Sequence, residues 1–140
     1  MPGPPPAGYS GTPLARKLGL KPATRCLLRN APEHYADLFA DWPENVEVLT
    51  RADDGSVDFI HLFATDQEAL REQFAALKPL LRKDGMLWVS WPKGSSSLHT
   101  NLKREPVREI GLNAGLVDVK VCAVDADWSA LKFVYRKKDR

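Results

Sequence analysis

The chain has 140 residues, 44% hydrophobic and 27% charged, enough for one domain with its own core. Its 20 basic and 18 acidic residues leave a net charge of +2, and two cysteines are too few for a disulfide scaffold. No apolar run approaches the ~18 residues of a membrane span, and residues 1–11 carry no apolar stretch behind basic residues, as a secretory signal would.

Residues 1–11 are rich in Pro and Gly and uncharged, which predicts a flexible arm. Residues 12–140 read as a single α/β domain. Thr12 suits a helix N-cap, Pro13 the first helical position, and Gly19 a stop. Thr24–Arg29 is a short apolar run and reads as the first strand. Asn30 and Pro32 then open an amphipathic helix with Tyr35, Leu38, Phe39 and Trp42 on one face. Asn45–Thr50 reads as the second strand. Val57–Phe63 is almost continuously apolar, the mark of a strand buried on both faces.

Thr65 and Glu68 match a capping box before the helix that carries Leu70, Phe74, Leu77 and Leu81, which Pro79 should kink or end. Asp84-Gly85 reads as a turn and Met86–Trp91 as another buried strand. Residues 92–101 form a polar loop. Val107, Ile110 and Ala114 mark a helix stopped by Gly115. Val117, Val119, Val121 and Ala123 then alternate with polar residues, as do Leu131, Phe133 and Tyr135. Strict alternation predicts an antiparallel hairpin with one buried face. The order of elements predicts a Rossmann-like, mostly parallel sheet with helices on both faces and a C-terminal antiparallel hairpin. Six residues separate Thr50 from Val57, too few for a crossover helix. Either they stretch across the sheet end, or the two strands form a hairpin.

Charge is uneven. Residues 1–70 hold 6 basic and 10 acidic residues, and residues 71–140 hold 14 and 8. A basic half could face nucleic acid, but a solvated surface is the plainer reading and nucleic acid is not the expected partner. Cys26 and Cys122 sit in apolar runs without metal-ligand spacing, and His34, His61 and His99 are scattered, so no metal site is expected. His61 lies mid-strand and reads as a satisfied core histidine.

Two passages resemble the class I methyltransferase fold. Leu77-Lys78-Pro79 through Asp84-Gly85-Met86-Leu87-Trp88-Val89 is similar to its helix–turn–strand step. Gly115-Leu116-Val117-Asp118-Val119 is similar to its entry into the terminal hairpin. A further resemblance covers most of residues 8–138. It rests on Gly8-Tyr9-Ser10-Gly11-Thr12-Pro13-Leu14, on Lys17-Leu18-Gly19-Leu20-Lys21-Pro22, on Trp88–Lys93, and on Trp128-Ser129 with Lys132-Phe133-Val134. It is to a family of small bacterial proteins known only as a domain of unknown function, and it implies a stand-alone cytoplasmic protein.

Cofactor sites of this fold use closely spaced glycines after the first strand. Here that loop is Asn30-Ala31-Pro32-Glu33, with no glycine between Gly19 and Gly55. The acidic residue expected at the end of the second strand is replaced by Thr50-Arg51, though Asp53 and Asp54 follow closely. The usual S-adenosylmethionine site therefore reads as degenerate, and no cofactor is expected. The best candidate loop is Trp91–Ser97, where Lys93 offers charge and the serines offer donors. The expected ligand-binding residues are Asn30, Trp91, Lys93 and Ser95. The expected function is a non-catalytic domain that binds a small anionic ligand or a protein partner, with methyl transfer disfavoured. Two other readings stay open: a small enzyme or sensor for an anionic metabolite, and nucleic-acid binding by the basic half.

Overall fold

The computed structural model describes residues 13–140, so the expected arm and the Thr12 cap lie outside the described residues. Helix α1 (Leu14–Leu18) is short and ends at Gly19, whose φ of 76° is the left-handed geometry a glycine cap supplies. The strands are β1 (Arg25–Arg29), β2 (Glu47–Leu49), β3 (Val57–Phe63), β4 (Leu81–Pro92), β5 (Leu116–Ala123) and β6 (Trp128–Tyr135). The longer helices are α2 (Gln67–Leu77) and α3 (Arg104–Asn113). One six-stranded sheet has the order β2-β1-β3-β4-β6-β5. β1 to β4 are parallel, and β6 runs antiparallel to both β4 and β5. The Rossmann-like sheet with its terminal antiparallel hairpin is therefore present.

Both sheet faces are covered. One carries Leu70, Phe74 and Leu77 of α2 and Val107 and Ile110 of α3 against Leu27, Ile60, Leu87 and Phe133. The other carries α1, Tyr35 and Phe39 against Cys26, Phe59, Phe63 and Trp88. Trp88 Nε1 donates to Leu18 O at 2.8 Å and so ties α1 to the sheet. No described helix is long and apolar enough to cross a membrane.

The short β2–β3 link is a stretch, not a hairpin. β2 and β3 both run parallel to β1 and lie on opposite sides of it. Residues 50–56 must cross two strand spacings, about 10 Å, and step back a similar length. Seven extended residues reach about 25 Å, which is enough. Ala52 packs on the α2 face, and Gly55 N donates to Pro79 O at 2.9 Å along this path.

Four local expectations are corrected. The helix expected from Tyr35 to Trp42 is a single 3₁₀ turn, Tyr35–Leu38. Its aromatic residues pack on one another instead, with Tyr35 and Phe39 ring centroids 5.1 Å apart. The N-cap of α2 is Asp66, which accepts from Ala69 N at 3.0 Å, rather than Thr65. The Asp84-Gly85 turn is an irregularity inside β4, where a Cβ on Gly85 would lie 2.8 Å from Asp58 O. In β5 the register shifts between Asp118 and Lys120, leaving Val119 54% and Val121 44% exposed. Alternation predicted their burial. A bulge on an edge strand breaks that pattern.

Candidate functional site

Chain direction reverses across the sheet at β1, because β1 continues to β2 on one side and β2 returns to β3 on the other. Open α/β sheets bind ligands outside the carboxyl ends of their strands at such a point. A cleft of about 520 Å³ lies there, lined by the ends of β1 and β2 and by the loop between them. Leu28, Ala31, Trp42 and Val48 give it apolar walls; Arg29, Asn30, Glu33 and Thr50 give polar and charged groups. Val48 is 49% exposed and presents an apolar surface to the cleft. The volume falls in the range of small-molecule sites, about 300–1,000 Å³.

Asn30 sets the shape of this cleft. Its φ is 59°, in the left-handed region. Asn tolerates that region better than other residues with a Cβ. Its side-chain amide donates to Phe63 O at 3.3 Å and to Gln73 Oε1 at 3.0 Å. The side chain is thus anchored to β3 and α2. A glycine would have made the same turn, and the Gly count missed this one.

Tyr35 lies at the cleft's edge and begins a buried polar chain. Its hydroxyl is 2.8 Å from His61 Nδ1, and His61 Nε2 is 2.7 Å from Ser90 Oγ. His61 and Ser90 are fully buried. Burial holds the imidazole neutral, with a pKa lowered to about 3. A neutral ring donates from one nitrogen and accepts at the other, so the two hydroxyls satisfy it. His61 is the core histidine the sequence suggested. Burial pushes the Cys26 thiol up to about 12, which makes it inert, and both cysteines are free.

A second cleft, about 570 Å³, lies at the carboxyl end of β4. Trp91, Lys93, Ser96, His99, Lys103 and Arg104 are among its lining. Ser95 is exposed and is absent from that lining. The structure thus places Asn30 in the first cleft, Trp91 and Lys93 in the second, and Ser95 in neither. Lys103 and Arg104 carry no motif, and their place in the cleft follows from the return of the chain into α3. The loop is tied at both ends. Lys93 N donates to Asp127 O at 2.7 Å, and Ser96 Oγ to Asp127 Oδ1 at 2.9 Å. Further on, Thr100 Oγ1 donates to Thr65 O at 2.7 Å and Asn101 Nδ2 to Asp66 Oδ1 at 2.9 Å. Among the described residues no group of three or more His, Cys, Asp or Glu is placed to hold a metal.

Solved structures share this architecture. A SAM-dependent methyltransferase from Aquifex aeolicus is similar with a TM-score of 0.60 and 16% identity, covering 84% of this chain and 85% of that one. Fibrillarin from Aeropyrum pernix, with natively bound S-adenosyl-L-methionine, has a TM-score of 0.57 at 14% identity, covering 86% and 73%. The 1,6-didemethyltoxoflavin-N1-methyltransferase of Burkholderia thailandensis, with its 1,6-didemethyltoxoflavin and S-adenosylhomocysteine bound, has a TM-score of 0.56 at 15%, covering 86% and 73%. The chain has a methyltransferase-like fold. No family model matches its sequence, and no curated protein does.

These matches correct the expected function. The sequence reading was a non-catalytic binding domain with methyl transfer disfavoured. Two of these three structures are named as methyltransferases, and two hold S-adenosyl-L-methionine or S-adenosylhomocysteine. The sequence reading took the missing glycines as a loss of close backbone approach to a cofactor; the loop nevertheless takes a left-handed turn, at Asn30.

Proposed function

We propose that this chain is an S-adenosylmethionine-dependent methyltransferase whose cofactor lies in the cleft at the ends of β1 and β2. The observation that carries this reading is the left-handed turn at Asn30, which keeps that cleft open without glycine. The residues present fit the cofactor. Leu28, Ala31, Trp42 and Val48 suit an adenine ring, and Glu33 and Thr50 can accept from ribose hydroxyls. Glu33 or Thr50 takes the part the fold gives to an acid after the second strand, since Asp53 and Asp54 do not line the cleft. When bound, the cofactor supplies an electrophilic methyl group on a positively charged sulfur. The protein's contribution is to orient it and to exclude water behind apolar walls.

Titration calorimetry with S-adenosylhomocysteine tests this reading. Binding is expected, weakened about 2- to 10-fold by Thr50→Val, as for loss of a neutral hydrogen bond, and about tenfold or more by Glu33→Gln, as for loss of a charged one. Absence of heat at millimolar ligand would end it.

A further inference from the structure

Resting on that cofactor reading, we infer that the β4 cleft holds the methyl acceptor, and that the acceptor is a small molecule with a carboxylate or phosphate on an apolar body. Charge is the first ground. Lys93, Lys103 and Arg104 line the cleft, and no Asp or Glu does. None of the three makes an ion pair among the described residues. Asp127 and Asp66 lie behind the lining, where they accept from its Ser96 Oγ and Asn101 Nδ2. Three cations lining one concave surface, with no acid in the lining itself, favour an anion.

Shape is the second ground. Trp91 and Leu102 are 6% and 2% exposed, and both line the cleft with Leu98, which is 43% exposed. That apolar wall would cover a ring or chain that the cations alone would not hold. Position is the third. β1 and β4 both flank β3, so the clefts at their carboxyl ends lie about 10 Å apart. A cofactor in one and an acceptor in the other can meet over the end of β3. With the cofactor bound, the acceptor's lone pair would form the new bond to the methyl carbon as the carbon–sulfur bond breaks and leaves its electron pair on sulfur. An O–H or N–H acceptor would give its proton to His99, which lines the same cleft, or to water.

The test is an amide NMR titration of the full chain with benzoate, phenyl phosphate and neutral benzamide. S-adenosylhomocysteine is titrated in parallel. Benzoate or phenyl phosphate is expected to shift Lys93, Lys103 and Arg104, and benzamide is not. The triple variant K93Q/K103Q/R104Q, all at surface positions, is expected to weaken the anion about tenfold or more. It should leave S-adenosylhomocysteine shifts at Asn30 and Thr50 unchanged. A response to only one of the two anions assigns the acceptor's group. Equal binding of benzamide, or full anion affinity in the triple variant, would overturn the inference. Loss of S-adenosylhomocysteine shifts in wild type would instead overturn the cofactor reading.

Discussion

At the scale of single residues, two positions carry the account. Asn30 is held at φ 59° by bonds to Phe63 O and Gln73. Gly and Ala both remove the two anchors, but Gly adopts the turn freely, whereas Ala lacks the polar side chain that lets Asn sit in the left-handed region, at a cost of about 1–2 kcal/mol. N30A is therefore expected to lower both the melting temperature and cofactor affinity, while N30G retains affinity. Calorimetry on the two variants decides this, and equal affinity in both would remove the role given to the turn. His61 is the other position. Unfolded, its ring takes a proton near 6.5; folded, only at about 3. Between those values the unfolded chain binds more protons. Stability is thus full above about pH 6.5 and falls towards pH 3, by up to about 1.4 kcal/mol per unit. Urea unfolding at pH 7 and pH 5 should show a smaller loss in H61Q than in wild type. Tyr35→Phe at pH 7 leaves a ring nitrogen with one partner fewer and should cost about 1–3 kcal/mol.

At the scale of elements, α3 meets the sheet through Gly111. A Cβ there would fall on the ring of Phe133, which is fully buried and cannot move aside. Ala gains about 1 kcal/mol of helix propensity over Gly. Overpacking costs about 1–3 kcal/mol. The clash wins, and Gly111→Ala should lower the melting temperature by a few degrees, about 3–5 °C per kcal/mol at this size. A rise would mean that α3 can slide on β6. β5 makes the opposite prediction. Val121 is 44% exposed after the bulge, so Val121→Thr should change stability by no more than about 0.5 kcal/mol. If alternation had governed this strand, burying that hydroxyl would cost about 1–3 kcal/mol.

The same elements show what could be read from residues alone. Val57–Phe63, the Leu70–Phe74–Leu77 face of α2 and the stop at Pro79 were legible, because burial on both faces and helical spacing leave direct marks. The bulge in β5 was not, since an extra residue leaves the alternation of valines intact in the sequence. The helix expected after Asn30 failed because Tyr35, Phe39 and Trp42 cluster by aromatic packing, with Phe39 and Trp42 centroids 5.1 Å apart, and a 3₁₀ turn suffices. Of the site, Asn30, Trp91 and Lys93 could be named from the ends of expected strands. Lys103 and Arg104 could not, because only the fold brings the start of α3 beside β4.

At the scale of the whole molecule, the methyltransferase-like sheet joins its second and third strands by residues 50–56, which form no helix. β2, at the sheet edge, has only three paired residues, Glu47–Leu49. The cleft proposed for the cofactor is built partly from that edge. Its binding strength is thus coupled to how firmly β2 stays on β1. On the proposed function, the two clefts at the same sheet end would serve cofactor and acceptor. The measurement that bears most directly on this is an amide NMR titration with S-adenosylmethionine. The account predicts shifts confined to Leu28–Ala36 and Val48–Thr50, with Lys93–Arg104 unmoved. Shifts confined to the β4 loop, or none at millimolar cofactor, would contradict it.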